Sequence, residues 1–370
     1  MIKEVLPIEE KLMRYVFNMA IIGEGYVEPN PLVGALIVKN GMLLSIGYHR
    51  YFGGPHAEIE AINKVPKEKL KNSELYINLE PCCHRDKKTL PCLDTIINIK
   101  FKGIYISNRD PNPKVSGRAI QVLKEKGYKV RVGILEEEGK FLNRAFFKSI
   151  VEKIPYIVLK IAVTKDGKIG LKNKRVAISS KDAMEYAKEE RDKFNAILVG
   201  ANTINIDNPI LLPAVRKLDI FKTFYRIIIS TRSIKLLLNK KILKTIGDNQ
   251  PLIFATTTDD VKLAAHHHPK ELTILTYNQQ SIPLKDLLKA LYSNFYIGKL
   301  LVEGGAKTFR QFFDAQLFDE LHLYKSDKTL NDKNTIKLFE NDFDYRFSHL
   351  KLYETKRFSN TLLLKYMNNT

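Results

Sequence analysis

The 370-residue chain has no tryptophan, only three cysteines, and fewer acids than bases, 41 against 60. Three thiols cannot all pair, so a disulfide framework is excluded as the source of stability. No apolar run approaches the roughly 18 residues that a membrane-spanning helix needs. The amino-terminal stretch MIKEVLPIEEKLMRYVF mixes acids with bases and lacks the basic, apolar, small-residue order of a secretory leader. These absences together predict a cytoplasmic protein with no membrane partner, in a compartment that keeps thiols reduced and available for metal binding or catalysis.

The formal charge of +19 raises the question of nucleic acid. The basic residues are scattered, however, and their densest cluster, KEKLK at 67–71, is interrupted. A general basic bias suits phosphorylated small molecules better than a nucleic-acid footprint.

What is present is enough apolar residue, 44% of the chain, for a sizeable core, and a length that suits two domains. Strand-like runs stand at 32–38, 74–80, 103–107 and 128–135, with helical patterns between them at EEKLMRYVFNMAII, HAEIEAINKV, CLDTIINI and GRAIQVLKEKG. That alternation predicts an α/β layered fold with a mainly parallel sheet. The pattern restarts after LEEEGKFLNRAFFKSIVEK, placing a boundary near residue 150. Strands are then expected at 156–163, 196–200, 226–230, 251–255, 272–275, 299–305 and 320–325, with a helix at 180–194. The triplet His266, His267 and His268 has no acidic or sulfur neighbour and reads as a surface loop.

All three cysteines fall within EPCCHRDKKTLPC at 80–92. Cys92 opens a helical stretch, where the N-terminal dipole should make its thiol ionise readily. His56 and Glu58 lie in HAE at the start of an earlier helix. One imidazole and two thiolates make three ligands to a tetrahedral zinc, with the fourth position left for water, whereas a structural site is closed by four protein ligands. H-x-E followed by P-C-x-x-C is the signature of zinc deaminases, in which the glutamate moves protons and is not a ligand; here HAE is followed by Pro81-Cys82 and Pro91-Cys92. Cys83 or His84 as a fourth ligand would instead make a structural zinc module.

At this point the chain resembles a known family, the bifunctional riboflavin-biosynthesis deaminase/reductases, through PNPLVGALIV, GYHRYFGGPHAE, LEPCCH, KTLPC, RDPNP, VSGRAIQVL and LNRAFF in that order. The resemblance implies a cytidine-deaminase-like three-layer domain over 1–150 and a dihydrofolate-reductase-like α/β domain over 151–370. It implies zinc on His56, Cys82 and Cys92, with Glu58 as proton carrier. Asn30 and His49 would hold the pyrimidine, Lys88 the substrate phosphate, and Asp110 and Asn112 the ribose. The ten-residue step from Cys82 to Cys92 is one longer than the family's usual nine, which Cys83 would restore. The expectation here is Cys82, with the extra residue accommodated near Arg85 and Asp86. An RNA or tRNA nucleotide deaminase is the rival reading within the same chemistry.

For the second half the matching strings are LKIAVTKDGKI, NAILVGANTINIDNPIL and LLVEGGAKTFRQFF. They imply an NADPH-dependent reductase acting on the deaminated product, with Lys160, Arg191 and Glu303 on the substrate, and Val163, Thr203, Asp207, Gly304 and Gly305 at the cofactor. Ala177 stands where the family commonly has tryptophan, Ala214 where it has arginine, and Ser230 where it has aspartate; Arg175 and Arg216 are the nearby candidates to compensate. A scaffold that only supports the deaminase is the alternative for this half. Self-association is also implied.

Overall fold

The computed structural model describes residues 7–84, 90–172, 174–213, 223–237, 239–258, 271–340 and 343–368. The chain divides between Lys153 and Ile154 into two units, each built on its own sheet. His266, His267 and His268 lie outside the described residues.

In the first unit, Gly34–Lys39 (β1) and Met42–Tyr48 (β2) form an antiparallel hairpin, and β1 also runs antiparallel to Glu74–Leu79 (β3). The remaining pairings, β3 with Gly103–Asn108 (β4) and β4 with Val130–Val132 (β5), are parallel. The sheet order is β2-β1-β3-β4-β5. This corrects the expectation of a mainly parallel sheet here. Asn40 and Gly41 both take positive φ, 50° and 76°, as in the two-residue primed turn that Asn-Gly favours, so KNG closes a hairpin instead of ending an element.

Alternation along the strands sends side chains to two layers. Ala35, Ile37, Leu75, Ile77, Ile104 and Ile106 pack with the helices Ala57–Asn63, Cys92–Ile96 and Arg118–Glu125. Leu36, Val38 and Tyr76 face the helix Ile8–Ala20 through Met13, Val16 and Phe17, whose burial contributes about 2 kcal/mol each. The sheet is therefore sandwiched between helices. YKVRVGIL forms a strand only over Val130–Val132. The long helical pattern that follows is two helices, Glu136–Leu142 and Arg144–Glu152, separated at Asn143.

The main sheet of the second unit has, among the described residues, nine strands: Tyr156–Thr164 (β6), Ala196–Gly200 (β8), Tyr225–Ser230 (β9), Leu252–Thr256 (β10), Leu272–Thr276 (β11), Lys299–Glu303 (β12), Glu320–Ser326 (β13), Lys351–Arg357 (β15) and Thr361–Met367 (β16). Their order is β11-β10-β9-β8-β12-β6-β13-β16-β15, parallel from β11 to β13 and antiparallel beyond. Lys168–Leu171 (β7) and Thr335–Lys337 (β14) make a separate pair. The expected helix at 180–194 is α over Lys181–Glu190 and 3-10 over Arg191–Lys193.

Strands β15 and β16 carry no clear signal in the sequence. β15 is a mostly exposed edge. In β16, the buried face is Thr361, Leu363 and Lys365, and Lys365 is tolerated there because Glu190 and Glu354 lie 3.4 and 3.1 Å from its ammonium. Among the described residues, no helix is long and apolar enough to cross a membrane.

Gly47 on β2 sets how closely the helix Ala57–Asn63 approaches the sheet. A Cβ there would lie 2.1 Å from the Ala57 carbonyl oxygen and 2.6 Å from the Ala61 nitrogen, both backbone atoms that no rotamer change can move. Gly47→Ala should therefore cost about 2–3 kcal/mol. In calorimetry this reads as a fall of about 5–10 °C in the first unit's unfolding temperature; an unchanged temperature would refute the close-approach argument.

Candidate active sites

In the first unit, His56 is the N-cap of the helix Ala57–Asn63, which puts its ring at the mouth of the sheet and Glu58 in the first buried turn. β3 ends at Leu79, and the chain passes through Glu80 and Pro81 to Cys82; Pro91 then starts the helix Cys92–Ile96. Among the described residues, His56, Cys82 and Cys92 bring their ligand atoms within 4.8 Å of one another. The His56 Nδ1 atom lies 3.2 Å from Cys92 Sγ and 3.5 Å from Cys82 Sγ. Ligands held at zinc's normal bond lengths on a tetrahedron stand roughly 3.5 Å apart, so the donor set fits that ion.

Two further observations support the fit. Glu58 is 3% exposed, and its Oε2 atom has no hydrogen-bond partner. A buried carboxylate oxygen of that kind calls for a proton, a water or a substrate donor. Burial pushes the Glu58 carboxyl above its ordinary range. Cys83 directs its sulfur 3.9 Å from the Lys114 carbonyl oxygen and does not join the cluster.

One expectation is corrected here. The readily ionised thiol is Cys82, not Cys92. Cys82 is lowered to about 3 because it accepts from the Cys92 thiol, with further help from His56 and from the Cys92 backbone N–H at 3.3 Å. Cys92 is raised by donating to Cys82 and by its own burial.

The ring-holding candidates meet beside this cluster. His49 Nδ1 lies 2.9 Å from the Pro55 carbonyl oxygen, an atom that only accepts, so Nδ1 carries the proton and Nε2 accepts from the Asn30 amide at 3.1 Å. The His49 ring also packs edge-on to His56 with centroids 5.5 Å apart. Two residues not anticipated from the sequence pin this segment. Asn143 accepts from the Leu32 N–H at 2.8 Å and donates to the Leu32 carbonyl at 2.9 Å, while Asn78 donates to the same carbonyl and accepts from the Gly34 N–H. Asp110 and Asn112 lie in a turn in which Asp110 Oδ1 accepts from the Asn112 N–H and Asn112 Oδ1 from the Lys114 N–H. Arg85, Asp86 and Lys88 lie outside the described residues.

The second unit carries a cavity of about 1470 Å³ at the carboxyl ends of its parallel strands, the usual ligand position in α/β sheets. Lys160, Arg191, Thr203, Asp207, Glu303, Gly304 and Gly305 all line it. Val163 does not: it is 0% exposed within the core, because alternation on β6 turns Ala162 to the cavity and Val163 away. Arg191 grips Glu303 with two parallel hydrogen bonds of 2.9 and 2.8 Å, and Lys160 stands 3.8 Å from the same carboxylate. Burial alone would raise Glu303; the two cations overcome it and hold the carboxyl at about 2. Asp207 is raised by burial, against the charge of Arg175.

The glycines divide their work. A Cβ on Gly200 or Gly304 would strike Thr308, at 2.3 Å from its Oγ1 and 2.7 Å from its Cβ respectively. Those two glycines therefore let the helix Ala306–Asp314 seat Thr308 between β8 and β12. At Gly305, the N-cap of that helix, a Cβ would meet nothing within 4 Å, so the helix N-terminus is open on this side. Ala177, Ser230 and Arg175 also face the cavity, whereas Ala214 and Arg216 lie outside the described residues.

The comparisons agree with this geometry. Residues 7–108 match the cytidine and deoxycytidylate deaminase zinc-binding region, and residues 155–364 match the RibD C-terminal domain. The riboflavin biosynthesis protein RibD of Aquifex aeolicus is 36% identical over 329 residues, 89% of each chain. Among solved structures, RibD of Acinetobacter baumannii superposes with a TM-score of 0.84 at 28% identity, covering 97% of this chain and 98% of that one. A Thermotoga maritima protein described as a diaminohydroxyphosphoribosylaminopyrimidine deaminase/5-amino-6-(5-phosphoribosylamino)uracil reductase gives 0.83 at 31% identity over 97% and 98%. With a zinc-binding deaminase domain followed by an NADPH-dependent reductase domain, the chain belongs to the RibD family of bifunctional riboflavin-biosynthesis enzymes.

Proposed function

We propose that residues 1–150 hydrolytically deaminate a phosphoribosylated diaminopyrimidine at the His56, Cys82 and Cys92 cluster, and that residues 151–370 reduce the ribose of that product to a ribityl chain with NADPH. The observation that carries the reading is the three-ligand cluster beside a buried carboxylate oxygen that has no partner. An open set of three ligands is the catalytic arrangement, not the structural one.

When bound, zinc supplies the Lewis acidity that brings the ionisation of a water close to neutral pH. Glu58, its proton affinity raised by burial, takes one proton from the attacking water to the ring nitrogen and then carries a second, from the hydroxyl formed on the ring carbon, to the departing amine. The amino group leaves as ammonia and the ring carbon becomes a carbonyl. Asn30 and His49 orient the ring, since Asn30 is held through the neutral His49 and its remaining amide oxygen can accept from the substrate. Asp110 and Asn112 are assigned to the ribose and Lys88 to the phosphate, the last on the KTLPC motif alone.

In the second unit, Lys160, Arg191 and Glu303 bind the sugar. Glu303, ionised at all ordinary pH values, accepts from hydroxyls in an orientation set by Arg191. NADPH supplies the hydride when bound; Gly305, Gly304, Thr203 and Asp207 are positioned to hold it. Free thiols at Cys82, Cys83 and Cys92 suit a reducing cytoplasm. Self-association belongs to the same reading and is testable by light scattering.

Glu58→Gln should retain zinc by elemental analysis and lower deamination about 10²–10⁴-fold, while NADPH oxidation with the deaminated substrate stays unchanged. Chelation of zinc should separate the activities in the same way; loss of both on chelation would contradict the two-site reading. Arg191→Lys removes one of the two parallel bonds to a buried carboxylate, so the reductase KM should rise with a loss of about 2–4 kcal/mol in kcat/KM, and ammonia release should not change. Cys82→Ser should abolish stoichiometric zinc, whereas Cys83→Ser should keep it; the reverse outcome would assign the metal to Cys83.

A further inference from the structure

Glu80 stands two residues before Cys82, is 3% exposed, and takes no part in the chemistry described above. Among the described residues, no lysine, arginine or histidine comes within ion-pair distance of it; its charge is met by backbone amides alone. Oε2 accepts from the N–H groups of Gly117 at 2.8 Å and Asp110 at 3.4 Å, and Oε1 from those of Ala119 at 3.0 Å and Ile120 at 3.2 Å. Its own N–H donates to the Asn108 carbonyl at 2.9 Å. One side chain thus ties the loop that carries Cys82 to both ends of the segment that carries Asp110 and Asn112.

That segment is stiff within itself. Asp110 and Asn112 close successive turns through their side-chain oxygens, and Gly117, at φ 78°, bends the chain directly into the helix Arg118–Glu125. A stiff turn moves as a unit, so its distance from the metal ligands is set at the point where it is anchored. We propose that Glu80 is a positioning residue of the deaminase, fixing the gap between the end of the pocket that holds the reacting ring and the turn that meets the ribose. This rests on the assignment of Asp110 and Asn112 to the substrate. The chemistry requires a carboxylate: two oxygens with four lone-pair sites accept four amides, whereas the amide of glutamine would turn two donors toward donors. A shift of about 1 Å in such a turn is enough to cost substantial binding.

The test uses the full-length, zinc-loaded enzyme and three variants, Glu80→Gln, Glu80→Asp and Asp110→Ala, with ammonia release as the readout and NADPH oxidation as the internal control for folding. Glu80→Gln is expected to raise the deaminase KM about tenfold or more with kcat changed less than about threefold, zinc content intact and the reductase unaffected. Glu80→Asp, which keeps the acceptor but shortens the reach, should recover part of the loss, and it decides by the same KM criterion if the glutamine variant is insoluble. A raised KM in Asp110→Ala with an unchanged KM in Glu80→Gln overturns the inference alone. An unchanged KM in Asp110→Ala overturns the substrate assignment, and the inference falls with it. Loss of zinc and kcat together in Glu80→Gln would show that Glu80 serves only the metal loop, which also overturns it.

Discussion

Two thiols, an imidazole and a carboxylate buried in one pocket cannot all take the charges their chemistry needs unless a cation lies among them. The rest of the first unit depends on that constraint. Among the protein groups, hydrogen bonding lowers Cys82, hydrogen bonding and burial raise Cys92, and burial raises Glu58. With a divalent ion held by His56, Cys82 and Cys92, both sulfurs would be anionic ligands and Glu58 would be free to exchange protons. The surrounding packing keeps the conflict in place. Gly47 lets the helix bearing His56 and Glu58 sit against the sheet, the Cys92 N–H fastens the two cysteine loops, and Asn78 and Asn143 hold the strand entry next to Asn30.

The second unit meets the same electrostatic problem from its own resources. Glu303 is largely buried, which by itself raises its carboxyl, yet Arg191 and Lys160 keep it charged. The result is a preorganised acceptor that needs no metal, set where parallel strands end and a helix N-terminus opens toward the cavity. The departures at Ala177 and Ser230, like Arg175, line this cavity.

Much of this was legible from residue order. The central parallel strands of the second unit are apolar runs long enough to stand out, and HAE with two Pro-Cys steps marks the three donors that the fold brings within 4.8 Å. The failures share a cause: they depend on partners that the local pattern does not show. The Met42–Tyr48 strand begins with exposed Met42 and Leu43, and Lys365 lies on the buried face of a strand because of two distant glutamates. Val163 was placed at the cofactor by its motif, but strand alternation turns it into the core. The ionisation order of Cys82 and Cys92 follows from which sulfur donates to the other, and spacing along the chain carries no trace of that.

By itself the sequence determined the reaction type of the first unit, because only a few residue types ligate zinc and move protons, and it determined the layered α/β class, because apolar periodicity survives any arrangement of the strands. Only the tertiary structure decided which of two adjacent thiols joins the cluster, that β1 turns back on β2 at Asn40 and Gly41, and that the backbone contacts of Asn78, Glu80 and Asn143 hold the pocket. Those choices rest on backbone amides and carbonyls, which every residue carries alike, so their pairing is written in three dimensions and not in the order of side chains.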